Sequence, residues 1–470
     1  MPHPIKFGTD GWRAVIADGY TFANLARVAR ATSRWLHARS PAPAAVLGHD
    51  TRFMGRAFAE HAARVLAADG VRVILADTFV PTPAVSYAAK ALGAEAGVVI
   101  TASHNPPQYQ GYKLKASFGG PATPAMIAEV EALIDDAPVE TDGMPAFAAL
   151  VAEGAITRRD LRRAYLDLLR DGLDLDAVRG AGRIAHDAMY GAGQGYVADL
   201  VGEDRVVPVR SVVNPGFEGQ APEPIARNLE PLSRAVVKAG CAAGLANDGD
   251  ADRIGMMDEE GRYVTAHQIL ALLVDYLYTE RGLRGGIVKT FSTTHLLDRM
   301  GDAYGLPVET LPIGFKHIAP RIIEGDVLVG GEESGGIAVK GHLPERDGLF
   351  IGLLVVEMMG RRGRPLSALV KDLYDRFGPH HYHREDVHLT LAQKEHALGR
   401  LDREGGLDRI DGHPVTRVET LDGYKHVTGG GWLLIRPSGT EPVLRVYAEA
   451  ETEAAARALV TDALRQLGAG

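Results

Sequence analysis

Apolar residues recur along this chain in two alternating rhythms. In FANLARVARATSRWLHA (22–38) they fall at Phe22, Leu25, Val28, Ala29, Trp35 and Leu36, with Thr32 in register. That i, i+3, i+4 spacing predicts a helix with one buried face. AAVLGHD (44–50) is instead a short continuous apolar run, the pattern of a buried strand. RAFAEHAARVLAADG (56–70) reads as a helix stopped at Gly70, and VRVILAD (71–77) as the next strand. A helix over 82–92, the strand GVVIT (97–101), a polar loop and a helix near 124–135 complete the set. Alternation of this kind predicts a parallel sheet with helices on its faces.

The same order recurs twice. A helix at 157–170 leads to strand RIAHDA (183–188), a glycine loop, a helix, and strands RVVPV (205–209) and AGLAN (243–247). A third set follows: helix 266–280, strand GIVKT (286–290), helix 293–304, strand VETLP (308–312), helix 315–324 and strand VLVGG (327–331). From about residue 378 the pattern changes to hairpin-like strands, HPVTRVETLDGYKHV and GGGWLLIRPSGTEPVLRVYAEA, closed by the helix EAAARALVTDALRQL. The expected fold class is therefore α/β, with three similar modules built on mixed or parallel sheets and a smaller C-terminal α+β domain. The expected domains are 1–150, 151–258, 259–375 and 376–470. Segment 136–150 and the His-rich GPHHYHRED (378–386) are the expected linkers.

Composition narrows the function. Of 470 residues, 46% are apolar and 24% charged, which excludes a globally disordered chain. Lys+Arg total 51 against 60 Asp+Glu, a net −9, so no electrostatic footprint for nucleic acid is expected. Apolar runs such as IGLLVV (351–356) break at charges, which argues against a membrane span. MPHPIKFGTDGWR has no apolar core of a secretion signal, and one cysteine, Cys241, cannot make a disulfide framework. A cytoplasmic protein is expected.

Three loops follow predicted strand ends, where open α/β sheets bind ligands. TASHNPPQYQGYK (101–113) follows GVVIT, NDGDADR (247–253) follows AGLAN, and GGEESGG (330–336) follows VLVGG. Asp248, Asp250 and Asp252 alternate around a glycine turn, so their carboxylates can converge on one hard cation, Mg²⁺ or Ca²⁺. The EF-hand pattern fails, because no Gly follows the third Asp. Arg253, directly after it, suits a phosphate or carboxylate. Ser103 follows a strand with His104 and Asn105 beside it, but no GxSxG elbow surrounds it. Pro106 and Pro107 stiffen that loop and Lys113 adds a cation. In RPSGTEP (436–442), Arg436, Ser438, Thr440 and the Gly439 backbone can wrap a phosphate. GAGQG (191–195) reads as a packing glycine loop, and no GxxxxGK[ST] exists. His380, His381 and His383 resemble a metal set but fall in the expected linker, so a solvated segment is the expected state.

Together these motifs resemble the α-D-phosphohexomutase superfamily, which includes phosphoglucomutase and phosphomannomutase. FGTDGWR (7–13) looks like its N-terminal signature, TASHNPPQYQGYK its phosphoserine loop, NDGDADR its metal loop, GEESGG its sugar-binding loop and RPSGTEP its phosphate-binding loop. The resemblance spans the whole chain in the family's order. It implies four domains around a central cleft and an enzyme interconverting hexose 1-phosphate and hexose 6-phosphate. The route implied is a phosphoserine enzyme and a hexose 1,6-bisphosphate intermediate. It implies that Ser103 carries the phosphoryl group and touches a Mg²⁺ held by Asp248, Asp250 and Asp252. Lys113, Arg13, His104 and Arg253 would act beside it. Lys289, Lys316, Glu332 and Ser334 would hold the sugar, and Arg436, Ser438, Gly439 and Thr440 the far phosphate. Glucose 1,6-bisphosphate is the implied activator, hexose phosphates the implied partners.

Trp12 stands where phosphoglucosamine mutases usually have Ile, and Gly336 where dual phosphomannomutase/phosphoglucomutase members usually have His. With Lys316 in GFK (314–316), this favours glucose phosphate; mannose or glucosamine phosphate is the alternative substrate. A metal-dependent sugar phosphatase is the less favoured class, and a non-catalytic binder would need no metal triad.

Overall fold

The computed structural model describes residues 4–8, 10–437 and 443–469. The chain forms two compact units. One is Met1–Arg284 with Phe315–Leu369; the other is Gly285–Gly314 with Val370–Gly470.

The first unit holds two large sheets. In the first, the strands run in the order Trp12–Val15, Tyr109–Ala116, Ala96–Ile100, Ala44–His49, Arg72–Ala76, Ile156–Arg159, and Gly120–Pro121 pairs with Tyr109–Ala116. Ala44–His49 is parallel to both its neighbours, whereas Tyr109–Ala116 runs antiparallel to all three of its own. The sheet is thus mixed, not purely parallel. Ala44–His49 is buried along its length, as its unbroken apolar run requires. Helix Phe22–His37 covers this sheet with Leu25, Val28, Trp35 and Leu36, and Thr21 caps it by accepting from the Asn24 N–H. The second sheet has the order Tyr263–Val264, Ile254–Met257, Ala243–Asn247, Ile184–Asp187, Val206–Val209. Val327–Gly331 and Ile337–Val339 form an antiparallel pair.

In the second unit, Gly286–Thr290 and Val308–Leu311 pair in parallel. A six-stranded antiparallel sheet follows, in the order His381–His388, Val443–Ala450, Gly431–Pro437, Tyr424–Thr428, His413–Glu419, Arg409–Ile410. Helix Glu453–Gln466 covers one face through Leu459, Val460 and Leu464. On the other face Trp432, Leu434 and Tyr447 pack with Phe291.

Several local expectations change. The segment expected to be a helix at 157–170 splits into strand Ile156–Arg159 and helix Leu161–Gly172, capped by Asp160. The 136–150 stretch is not a bare linker: Val139, Met144 and Phe147 pack on the first core, and Phe147 opens a helix to Ala152. The His-rich stretch is strand, not a solvated linker, with His381 opposite Ala450 and His388 opposite Val443. It is an edge strand, where one side of the backbone ladder is open and polar side chains are tolerated. No described helix is long and apolar enough to cross a membrane.

Candidate active site

Strand Ala96–Ile100 delivers the chain into a turn at which Ser103 has φ +53. A residue with a side chain enters this left-handed region only when its surroundings hold it there. Ser103 is buried; its N–H donates to Thr101 Oγ1 at 2.9 Å, and its carbonyl accepts from Arg52 at 2.6 Å. Its Oγ donates to Asp248 Oδ2 at 2.7 Å and lies 3.3 Å from His104 Nδ1. Burial, then the charges of Arg253 and Arg13, hold His104 well below the usual imidazole range, so the ring is neutral. Arg13, on strand Trp12–Val15, donates to Asn105 Oδ1 in the Ser103 loop at 2.6 Å.

Strand Ala243–Asn247 ends in the acidic turn. Asp248 Oδ1 accepts from the backbone N–H groups of Asp252 (3.0 Å) and Arg253 (3.1 Å), which winds the turn tightly. One oxygen from each of Asp248, Asp250 and Asp252 lies within 4.8 Å of the others. All three are buried, and Oδ1 of both Asp250 and Asp252 has no hydrogen-bond partner among the described residues. Three converging buried carboxylates, two of which keep an oxygen without such a partner, fit a hard divalent cation such as Mg²⁺. Gly249 makes the approach to Ser103 feasible: a Cβ there would lie 2.5 Å from the Ser103 carbonyl oxygen. The GAGQG loop supports the turn from behind, as expected, since a Cβ on Gly191 would meet the Asp248 carbonyl oxygen at 2.7 Å.

Lys113 lies on strand Tyr109–Ala116, not on the expected loop. Its Nζ is fully buried and within 2.8 Å of Asp10, 2.7 Å of Asp250 and 2.8 Å of Asp252. Against the burial that would raise it, the Lys113 ammonium and hydrogen bonds from Lys113 and Thr82 hold the Asp250 carboxyl below its ordinary range. Asp248 has no lysine bonded to it and is pushed well up by burial and by the other two carboxylates. This is a cluster that loses charge repulsion when a cation binds.

The GEESGG loop joins the same unit. Gly335 has φ +86 and its carbonyl accepts from the Ile254 N–H at 3.1 Å, two residues beyond Asp252. A Cβ on Gly335 would lie 2.3 Å from the Ile254 carbonyl oxygen. Glu332 is buried, and burial pushes its carboxyl up to about 7, opposed by Arg346 3.8 Å away. Ser334 is half-buried. Arg346 also donates to Asp252 at 2.7 Å and to Asp10. Lys316, Asp10, Phe315 and Arg346 line a cavity of about 180 Å³.

The second unit carries the other expected binding residues. Lys289 Nζ is buried, donates to the Thr294 carbonyl at 2.9 Å and pairs with Asp298. It lines a cavity of about 820 Å³ with Phe291, His295, Arg417 and Lys425. Arg436, on strand Gly431–Pro437, donates to Asp422 Oδ1 at 2.8 Å. Ser438, Gly439 and Thr440 lie outside the described residues.

Sequence reasoning singled out neither Asp10, Arg52 nor Arg346, although Asp10 sat in a motif already noted. Asp10 is the acid of FGTDGWR, and Arg52 lies two residues past Asp50, the last residue of AAVLGHD. Arg52 was signalled by a charge just beyond a buried strand, where it must find a partner. Arg346 lies in PERDG, with no local apolar pattern to mark it.

Fold and site together define a sugar-phosphate mutase of the phosphohexomutase class. The chain belongs to the phosphoglucomutase/phosphomannomutase family: alpha/beta/alpha domain I matches residues 4–139, domain II 163–261, domain III 265–377 and the C-terminal domain 396–466. It is thus an isomerase-type enzyme with the four-domain α/β fold. It is 30% identical over 458 residues, 96% of each chain, to a "Phosphoglucomutase/phosphomannomutase" of Thermococcus kodakarensis. A "Probable phosphoglucosamine mutase" of Thermococcus gammatolerans is 31% identical over 97% of each chain. Among solved structures, a "putative phosphomannomutase" from Thermus thermophilus superposes with a TM-score of 0.88 at 38% identity over the whole of both chains.

Proposed function

We propose that this enzyme interconverts hexose 1-phosphate and hexose 6-phosphate, with glucose as the preferred sugar, through a phosphorylated Ser103 and a hexose 1,6-bisphosphate. The observation that carries the reading is Ser103 Oγ, 2.7 Å from Asp248 in a buried cluster of three carboxylates, two of which keep an oxygen with no hydrogen-bond partner among the described residues. Asp248, Asp250, Asp252 and the phosphorylated Ser103 would hold Mg²⁺. When bound, the ion supplies positive charge against the charge of the transferring phosphoryl oxygens.

The chain's own residues supply the rest. A sugar hydroxyl attacks the phosphorus on Ser103; the new P–O bond forms as the P–Oγ bond breaks, the sugar hydroxyl gives up its proton and Ser103 Oγ gains one, so the proton count is unchanged. Neutral His104, 3.3 Å from Ser103 Oγ, is placed to exchange a proton with that oxygen. Lys113, Arg13 and Arg253 place positive charge beside the reacting group; Arg253 Nε is buried with no hydrogen-bond partner among the described residues. The bisphosphate then turns over, and its second phosphoryl group returns to Ser103. Glu332, Ser334, Lys316 and Lys289 hold the sugar in both orientations, and Arg436 with Ser438, Gly439 and Thr440 holds the non-reacting phosphate. Glucose 1,6-bisphosphate primes the serine. A cytoplasmic location fits a sole cysteine, Cys241, that is free and buried.

Mannose and glucosamine phosphates are the second reading, favoured by relatives that carry those names. The deciding experiment is a coupled assay of glucose, mannose and glucosamine 1-phosphates with Mg²⁺ and catalytic bisphosphate. Isomerised product without free phosphate is the expected result; stoichiometric free phosphate would instead mark a phosphatase. Ser103→Ala is expected to abolish turnover and, by intact mass, the phosphoryl adduct on the purified protein.

A further inference from the structure

One side chain reaches the Ser103 loop and the start of the strand after it at four points and has no part in the reaction as just described. Arg52 follows strand Ala44–His49, and its side chain and that of Asp50 are both fully enclosed. Its Nη2 donates to the carbonyls of Ser103 and Asn105, each at 2.6 Å; its Nη1 donates to those of Pro106 (2.9 Å) and Tyr109 (3.2 Å). Three carbonyls of one irregular loop and that of the first residue of the strand after it are thus gathered on one planar cation, whose fork geometry spans them as a point charge cannot. Asp50 Oδ2 lies 3.2 Å from Arg52 Nε and accepts the Thr101 hydroxyl at 2.6 Å. With its proton committed to Asp50, Thr101 Oγ1 accepts the Ser103 N–H at 2.9 Å.

Ser103 is therefore held on both sides: its N–H by Thr101 and its C=O by Arg52, and both of these are tied to Asp50. Between the two anchors the serine has its left-handed φ of +53. Relaxed to an ordinary φ, the residue would swing its Oγ away from Asp248. We propose that Arg52, with Asp50 and Thr101, is the positioning device that aims Ser103 Oγ for phosphoryl transfer. This rests on Ser103 as the phosphoryl carrier. Arg52 touches the loop backbone and not the reacting atoms, so its effect falls on the chemical step and not on substrate affinity or on the hold of the three aspartates on Mg²⁺ in the enzyme with Ser103 unphosphorylated.

The test is Arg52→Lys, which keeps the charge and loses the fork. Steady-state kinetics, single-turnover phosphorylation of Ser103 by glucose 1,6-bisphosphate, Mg²⁺ titration calorimetry and thermal melting are measured on the full chain. A misplacement near 1 Å costs about 100-fold in rate, so kcat and the single-turnover rate are expected to fall about 100-fold. KM, Mg²⁺ affinity and Tm are expected to stay within a few-fold or a few degrees. Thr101→Val, nearly isosteric, cuts only the link between Asp50 and the Ser103 N–H; a fall of about 10-fold in the same two rates is expected, and it decides the matter if Arg52→Lys does not fold. Wild-type rates in a folded Arg52→Lys would overturn the proposal. So would losses of kcat, KM and Mg²⁺ affinity in step with Tm, which mark general loosening. Intact-mass analysis of Ser103→Ala keeps the underlying reading separate: an adduct surviving there refutes Ser103 as carrier, whatever Arg52→Lys does.

Discussion

Glu332 illustrates how one side chain's surroundings set a testable pH dependence. Burial raises its carboxyl to about 7 from an ordinary value near 4.5, against the opposing pull of Arg346. The neutral form is therefore favoured in the folded protein. Its contribution to stability is complete below the ordinary value and is lost as pH rises through about 7. For binding the sign is opposite, because the carboxylate accepts two sugar hydroxyls where the acid accepts fewer. Thus kcat/KM for glucose 1-phosphate is expected to fall below pH 7 more steeply than the titration of the substrate phosphate explains. In Glu332→Gln that extra slope disappears and glucose-over-mannose discrimination shifts by about 10- to 100-fold, equivalent to roughly 1.5–3 kcal/mol. A pH profile unchanged by the substitution would remove Glu332 from sugar recognition. The Asp cluster gives a second expectation: EDTA silences the enzyme and Mg²⁺ restores it, while Asp250→Asn needs more Mg²⁺ for half-maximal rate. Full activity of Asp250→Asn at low Mg²⁺ would count against the cation site. The Asp triplet and Ser103 were legible in sequence, because short-range spacing at strand ends encodes them. Lys113, Arg52 and Arg346 were misplaced or missed because their partners are distant: Lys113 sits 137 and 139 residues from the aspartates it binds. No local pattern marks a lysine as buried when its counter-charges come from another sheet.

At the scale of elements, the site is made by two turns pressed together at strand ends. Gly249 is the contact point, so Gly249→Ala is expected to drive the turns apart, since its Cβ would lie 2.5 Å from the Ser103 carbonyl oxygen. Overpacking of this kind costs about 1–3 kcal/mol in stability, yet the loss in kcat should be larger, about 100-fold. Parallel falls in Tm and rate without a separate kcat defect would argue against this role for the contact. Helices and buried strands followed the apolar rhythm closely, because burial on one or both faces writes itself into the sequence. Strands rich in charge did not. Tyr109–Ala116 carries two lysines that are neutralised in the core, and His381–His388 pairs at a sheet edge where polarity is tolerated. They read as loops for different reasons: ion pairs, not apolar contacts, occupy the buried side of Tyr109–Ala116, whereas no residue of His381–His388 is fully buried.

At the scale of the molecule, the reaction as proposed asks that the phosphate clamp be movable, since the bisphosphate must turn over without escaping. Arg436→Ala is expected to raise KM and lower kcat for glucose 1-phosphate by about 10- to 100-fold in kcat/KM, from loss of one charge-assisted contact. Mg²⁺ affinity should be untouched. Small-angle scattering of the wild type should record compaction on adding glucose 1-phosphate. Unchanged kinetics would remove the clamp role, and constant scattering would remove closure.

The second unit is assembled from two stretches of chain separated by Phe315–Leu369. Phe291 comes from the earlier stretch, while Trp432, Leu434 and Tyr447, against which it packs, come from the later one. On a ribosome adding about 5–20 residues per second, the 141 residues from Phe291 to Trp432 take roughly 7–28 s. For that interval the Phe291 ring has been made but lacks the side chains of Trp432, Leu434 and Tyr447 against which it packs. The newborn chain must keep that ring covered by other means, and a product truncated before Trp432 would leave it without its native partners.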